Sequence, residues 1–464
     1  MKRKFFTFIL LFTAGLSLSS CLNSDDNSNA EYTHDTAITA FSIGTVKRYY
    51  QAKSSTTKKD TTLTADVTGS SYKFYIDQTT RQIYNPDSLP KGTKLSAVLT
   101  SVTVKQSSPV VWMKTNVDSI QSYYSSTDSV DLSTPRKLRV FNNDYTAYVT
   151  YTVKVNVHKE SADSFQWHSL SNQNAQIAAL QGLKAVSMGG NIYVFGTDGN
   201  NLKVYKTSNS DGKSWDEVTP SITFGKDAYK NVVALDNAIY LLDESEIYQS
   251  SDAASWNKVG SDVSLAQLIG ASSKYLYAYT ATGISVSKDK GVTWEEEKLD
   301  ASLDSLPTHS LSLNVASIAS VKNAENLLLL GVHQKTADHG DTIAVSWIHT
   351  LDYDDTEASK WNYVEYDKNQ QGKLPYASQV MVAASDSGYV ALTSAGKWFN
   401  SKNGGLTWNV DTAVVMPTAF NGANQFVLVR DENKYYWLIS AKTGNVWKGR
   451  YNKDGWRKEQ TSFE

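Results

Sequence analysis

Cysteine is almost missing from this chain: one residue, Cys21, in 464. Without a second thiol no internal disulfide can form, so whatever the chain folds into holds by packing alone. An excess of charge is missing too, with 45 basic residues against 47 acidic ones. That balance removes the electrostatic reason to expect nucleic acid or a polybasic membrane surface as partner. No long apolar run is available to cross a bilayer. The stretch from Phe5 to Leu18 falls short of the roughly 20 apolar residues a spanning helix needs. What is plentiful is the palette of strands and polar turns: 27 Tyr, 12 Trp and 41% hydrophobic residues, with abundant Ser and Thr. At this length two or more separately buried cores are expected.

Lys2, Arg3 and Lys4 precede the apolar stretch, and together they read as a signal peptide over residues 1–20. The stretch ends in Leu18-Ser19-Ser20-Cys21, which resembles the lipobox of bacterial lipoproteins. The resemblance implies cleavage before Cys21, diacylglycerol on its sulfur and acylation of the new amino terminus. The nucleophile in that transfer is a thiolate, and more than one acyl chain is what makes an anchor stable. Residues 21–30 read as an acidic, solvated tether. Its Ser24-Asp25-Asp26 resembles the surface-export signal of lipoproteins in some Gram-negative anaerobes. The implied location is the outer membrane, lipid-anchored and facing outward, with the membrane as a partner through Cys21.

Residues 31–160 carry short runs with period-two patterning, notably Ser71–Asp77, Leu95–Val104, Lys137–Phe141 and Ala147–Val157. Asn85-Pro86-Asp87, Pro90-Lys91-Gly92-Thr93 and Asn142-Asn143-Asp144 punctuate them as turns. Such spacing predicts a two-sheet sandwich of immunoglobulin-like type. The segment Asp128–Arg136 and the strand after it resemble the end of the Ig-like and cadherin-like modules of envelope lipoproteins. In those proteins the module is a spacer or a docking surface.

Residues 161–464 repeat themselves, and repeats decide the fold. Ser287-Lys288-Asp289-Lys290-Gly291-Val292-Thr293-Trp294 matches the Asp-box pattern S-x-D-x-G-x-T-W at every position. Ser401-Lys402-Asn403-Gly404-Gly405-Leu406-Thr407-Trp408 matches it with Asn for Asp. Weaker copies end at Trp215 and Trp256, and echoes fall at Trp167, Trp361 and Trp456. The role expected of Ser287, Asp289, Gly291, Thr293 and Trp294, and of Ser401, Asn403, Gly405, Thr407 and Trp408, is structural. Asp or Asn caps a turn, Gly supplies positive φ, and Trp packs beneath the hairpin. The tryptophan steps suit four-stranded propeller blades of about 40–50 residues. The long step from Trp294 to Trp361 holds four strand candidates, Val315–Val321, Leu327–His333, Ile343–Thr350 and Trp361–Tyr366, with Glu295–Asn314 expected as a loop. The expected fold class is therefore all-β: an Ig-like sandwich, then a β-propeller of six blades, seven being the alternative. Trp167 is placed on a strand that enters or closes the ring. The whole resembles an uncharacterised family of envelope lipoproteins with an Ig-like front and a sialidase-like propeller (Asp-box, or BNR, repeats) behind. That resemblance implies no known activity.

Asp-box propellers include sialidases and some endo-glucanases. A sialidase grips its substrate carboxylate with three arginines from separate blades, where bidentate geometry rules out lysine. Residues 161–464 contain only Arg430, Arg450 and Arg457, all in the last blade or tail. A glycosidase of another kind needs only two carboxylates, and Asp198, Asp243, Glu244, Asp386 and Asp431 fall near strand ends where they could line a central cleft. His333, Asp338, His339 and Asp341 crowd one segment, but their spacing fits no zinc motif, so no metal or other cofactor is expected. Gly196-Thr197-Asp198-Gly199-Asn200 precedes no helix and reads as a hairpin turn, not a phosphate cradle. Two readings remain for function: a non-catalytic module that captures an extracellular glycan or protein, and a glycoside hydrolase of unfamiliar type. We expect the first.

Overall fold

The computed structural model describes residues 35–54, 59–171, 173–318, 320–333, 342–355, 359–366 and 371–455. Cys21 and the leader, the tether, Asp338, His339, Asp341, Trp456 and Arg457 lie outside these residues. The described chain divides into two compact units, one ending at Lys159 and one beginning at Glu160.

The first unit is all β. Ile38–Ile43, Val98–Val104 and Ser129–Val130 form one sheet. Tyr75–Asp77, Gln82–Tyr84, Tyr148–Lys154, Arg136–Phe141, Val110–Met113 and Ile120–Tyr123 form a six-stranded second sheet. Thr45–Lys53 and Asp60–Thr68 pair as a hairpin. Pairing is antiparallel except where Gln82–Tyr84 runs parallel to Tyr148–Lys154 and at the isolated bridge Leu89–Val157. Alternation does the sorting expected of half-buried strands. Ile38, Phe41 and Val98 from the first sheet meet Ile83, Trp112, Leu138, Tyr151 and Val153 from the second in one core. Of the run Ser71–Asp77, which alternates for part of its length, Tyr75–Asp77 is strand. Gly69–Ser71 before it is a 3₁₀ turn.

The second unit consists of six antiparallel sheets that follow one another along the chain. The first four-stranded sheets are Gly182–Met188 to Asp216–Val218, Val232–Leu235 to Asn257–Ser261, and Leu265–Ala271 to Glu295–Glu296. The fourth, His309–Ser317 to Lys360–Tyr363, gains the two-residue strand Lys298–Leu299, parallel to Lys360–Tyr363, as a fifth member. The fifth sheet runs from Val380–Ser385 to Asn409–Val410. The sixth takes Phe426–Arg430, Tyr436–Ser440 and Val446–Tyr451 from the end of the chain and Phe165–Ser171 from its beginning, with Trp167 opposite Gly449. The first strand of each sheet touches the first strand of the next, and Phe426–Arg430 touches Gly182–Met188, so the ring closes. Closure leaves no central edge exposed.

Glu295–Asn314 is not a loop. It completes the third sheet, supplies Lys298–Leu299 and starts the first strand of the fourth at His309. That strand is half-buried along most of its length, so its Ser/Leu alternation gives a weak apolar signal. Ser310 and Ser312 pin it to the fifth sheet: the Ser310 hydroxyl donates to Val380 O and accepts from Val380 N, both at 2.8 Å.

There is no single core here. Six apolar clusters form, each shared by two neighbouring sheets. Strands covered on both faces need continuous apolar runs, which explains Ile192–Phe195, Ala238–Leu242, Leu327–Leu330 and Tyr436–Ile439. The repeating tryptophans fill the gaps. Trp215, Trp256, Trp294, Trp361 and Trp408 each pack into the cluster between their own sheet and the one before it.

Candidate functional site

Antiparallel strands sort their turns by end. In each sheet the turn between the first and second strands lies at the same end as the turn between the third and fourth, while the second-to-third turn lies opposite. Both full matches to the S-x-D-x-G-x-T-W pattern, Asn403 standing for Asp in the second, join third strands to fourth ones. In the first, the buried Ser287 hydroxyl donates to Asp289 Oδ1 (2.8 Å) and accepts from Gly291 N (2.7 Å). Asp289 also accepts from Thr293 N (2.8 Å) and Thr293 Oγ1 (2.6 Å). The second box repeats the network around Ser401, Asn403, Gly405 and Thr407, with one inversion: the Asn403 amide donates to Thr407 Oγ1 at 2.9 Å instead of accepting from it. Gly291 and Gly405 have φ of 100° and 96°. A Cβ on Gly405 would meet Leu328 Cδ1 at 2.7 Å, and one on Gly291 would meet Ile247 Cγ2 at 2.9 Å. Glycine is thus required twice over, for backbone conformation and for close approach to the preceding sheet.

The degenerate copies solve the same problem with other atoms. At Trp256 the turn is one residue shorter and Ala253 takes φ 64°, while Asp252 still caps Ala254 N and Ser255 N. At Trp215 the hydroxyl that accepts from Gly212 N is Thr207, and Asp211 accepts from Ser214 N.

The carboxylates singled out in the sequence do not converge. Asp198, Asp243 and Glu244 sit on second-to-third turns, whereas Asp386 and Asp431 sit on first-to-second turns at the opposite end. Asp198 caps its own hairpin through Asn200 N and Asn201 N, and Asp243 accepts from Gly225 N. Asp431 is buried and accepts from Tyr435 N and Trp437 Nε1. His333 Nε2 lies 2.9 Å from Leu306 O. Among the described residues no three His, Cys, Asp or Glu side chains cluster as a metal site would require.

One of the five does line a cavity. A polar cleft of about 270 Å³ opens between the fifth and sixth sheets, with Asp163, Asp386, Asp411, Asp454, Lys402, Lys453 and Tyr451 among its walls. Asp386 Oδ1 accepts from Arg430 Nη2 at 2.8 Å and its Oδ2 from Lys434 Nζ. The same Arg430 nitrogen stands 3.5 Å from Asp454 Oδ2. Burial alone would raise the Asp386 carboxyl, yet the hydrogen bonds and charges of Lys434 and Arg430 outweigh it and hold the group below the usual carboxylate range. Asp454 goes the other way, pushed up chiefly by burial. Tyr451 is spent structurally. Its hydroxyl donates to Asp411 Oδ2 (2.8 Å) and accepts from Trp398 Nε1 (3.0 Å), and burial pushes its titration far up. Arg450, the other described arginine of this unit, lies over the Tyr435 ring on the same sheet as Arg430. The arginines therefore form no three-bladed clamp among the described residues.

Asp163, Asp411 and Asp454 escaped the sequence reading because they come from three distant segments with no shared motif. The only local hint was Asp454 in a box-like echo before Trp456.

Residues 161–459 match the DUF6242 beta propeller domain, and residues 41–155 match the DUF6242 N-terminal domain of unknown function. The chain belongs to the DUF6242 family. The ring of sheets is thus a β-propeller, and the cleft lies between two of its blades. Solved structures similar to this DUF6242 protein include a structural genomics protein of unknown function from Bacteroides thetaiotaomicron (13% identity over 77% of this chain and 95% of that one, TM-score 0.38). YCF48 from Cyanidioschyzon merolae is 15% identical over 61% of this chain and 98% of its own (TM-score 0.33). The Pan2 WD40 domain of Neurospora crassa is 10% identical over 64% and 98% (TM-score 0.36). No curated protein matches the chain.

Proposed function

We propose that this DUF6242 protein is a lipid-anchored capture module that binds a neutral glycan in the cleft between the last two blades of a six-bladed propeller. The observation that carries this reading is the chemistry of the cleft wall. Its four carboxylates are balanced by its two lysines together with Arg430 and Lys434 alongside, leaving many donors and acceptors but little net field. Such a wall suits a sugar ring, whose hydroxyls both donate and accept, better than an anion or a cation. In this reading the diacylated Cys21 holds the protein at the outer face of the outer membrane, and residues 31–160 act as an Ig-like spacer. A titration of the purified protein against a panel of neutral and acidic oligosaccharides tests it: neutral sugars should bind and be recovered intact.

A second reading, hydrolysis of the glycan, rests on Asp386 and Asp454. Two carboxyls near one arginine, with ionisation pushed in opposite directions, are the usual arrangement for an acid and its partner. Release of reducing ends that stops in Asp454→Asn would favour it. Binding without release favours capture.

A further inference from the structure

A second polar constellation lies away from the cleft, where the third and fourth sheets meet. Glu297 N donates to Ile284 O of the third sheet, and Asp300 N donates to Trp361 O of the fourth. The segment between them is thereby pinned across the seam. His349 projects from the strand Val345–Asp352 and is 2% exposed. Ser359 precedes the strand Lys360–Tyr363 and is exposed. Ser359 Oγ is 2.5 Å from His349 Nε2, and His349 Nδ1 is 3.3 Å from Glu297 Oε2. Trp361 walls the imidazole, with ring centroids 5.0 Å apart.

The proton inventory follows from these contacts. A serine hydroxyl that donates to Nε2 requires the tautomer with hydrogen on Nδ1. The Nδ1 atom stands 3.3 Å from Glu297 Oε2, off the line that a hydrogen bond needs. Neither Nδ1 nor Oε2 completes a hydrogen bond of ordinary geometry, with each other or with any other group, and both are shut off from solvent. An orphaned donor and acceptor of this kind are costly unless they serve each other. Burial holds the imidazole well below its usual range, at about 4, so it is uncharged near neutrality and Nε2 can accept the serine hydrogen bond. Burial likewise pushes the Glu297 carboxyl up to about 7, against the pull of Trp361 and Lys288.

We infer that Ser359, His349 and Glu297 form a nucleophile–base–orienter relay, with Ser359 able to accept an acyl or phosphonyl group from small esters at the propeller's outer edge. The roles are those of any such relay. With an ester, the Ser359 Oγ–carbon bond forms as the hydroxyl proton passes to His349 Nε2. The carbon–alkoxy bond breaks and the departing alcohol takes that proton. Water then attacks the acyl-serine by the same route, releasing the acid and restoring the hydroxyl. With a fluorophosphonate, the Oγ–phosphorus bond forms, fluoride leaves and the proton passes through His349 to water. This site is independent of glycan capture in the cleft, and either can fail without the other.

The experiment is labelling of the full chain with a small fluorophosphonate probe, read by intact mass and peptide mapping. One adduct is expected, on Ser359. It should vanish in Ser359→Ala, checked as folded by circular dichroism, and slow by roughly 100-fold or more in His349→Gln. Glu297→Gln should slow it less and alter its pH profile. Should His349→Gln fail to fold, Ser359→Ala and Glu297→Gln decide. The inference is overturned if the native protein gains no more adduct than Ser359→Ala. It is equally overturned if a folded His349→Gln labels at the native rate, which would mark the cluster as structural only.

Discussion

Replacing Ser287 by alanine removes one oxygen from the interior of the first full Asp-box, and its cost can be worked from the contacts. Ser287 is completely buried. Its hydroxyl is the acceptor for Gly291 N and one of the donors to Asp289. Alanine cannot accept, so the Gly291 N–H is left buried and unpaired at a cost of about 1–3 kcal/mol. Asp289 keeps its bonds from Thr293 N and Oγ1, so the second loss adds only about 0.5–1 kcal/mol. No cavity larger than the missing oxygen forms. The expected total of about 1.5–4 kcal/mol corresponds to a fall in Tm of about 2–6 °C for a unit of about 300 residues, measured by circular dichroism. Hydrogen exchange should rise first at the Gly291 amide. Ser401→Ala in the second box is an internal replicate, and the two effects should add because the boxes share no partners. Shifts below about 1 °C for both variants, with Gly291 still protected, would refute the claim that the box hydroxyl clips the hairpin.

Other expected outcomes follow from the same geometry. Trp408→Ala empties the gap between the fourth and fifth sheets, where Trp408 is 2% exposed, and should cost about 3–5 kcal/mol in urea unfolding. Hydrogen bonds from Thr293 hold the Asp289 carboxyl down to about 2. A lowered folded value contributes stability above the unfolded value and loses it as pH falls toward 2. Because Asp289 is exposed the effect is discounted to about 1 kcal/mol, and Asp289→Asn should flatten this part of the acid unfolding curve while staying near neutral in effect at pH 7, as Asn403 already does. Arg430→Ala strips Asp386 of one cation and leaves the buried Asp454 without its nearest one, so glycan binding should fall sharply. Cys21→Ala should move the protein from the membrane fraction to the soluble fraction on cell fractionation, and continued membrane association would count against lipidation.

The parts of the fold written in local code were the legible ones. Ser-x-Asp-x-Gly-x-Thr-Trp specifies its hairpin through bonds spanning at most four residues, and runs such as Ile192–Phe195 announce strands covered on both faces. What depended on distant pairing was not legible. Lys298–Leu299 is a strand only because Lys360–Tyr363 lies beside it, and His309–Ser317 is held by serine bonds to the fifth sheet rather than by an apolar face. The cleft suffers most from this: Asp386 stood out at a turn, but its neighbours come from residue 163, from 411 and from 454, and it takes the packing of the sixth sheet, completed by Phe165–Ser171, against the fifth to bring them together. His349 offered a faint signal, an imidazole straight after Val345-Ser346-Trp347-Ile348 on a largely buried strand. Nothing in spacing tied it to Glu297 or Ser359.

The central claim is that the cleft between the fifth and sixth sheets captures a neutral sugar, and calorimetric titration tests it most directly. The tightest-binding neutral oligosaccharide of the panel should bind the native protein at one site. Lys402 and Lys453 line the cleft, and replacing both by alanine removes two charged donors and should weaken binding roughly tenfold or more. Undiminished affinity in that double variant, or no heat with any neutral glycan, would contradict the account.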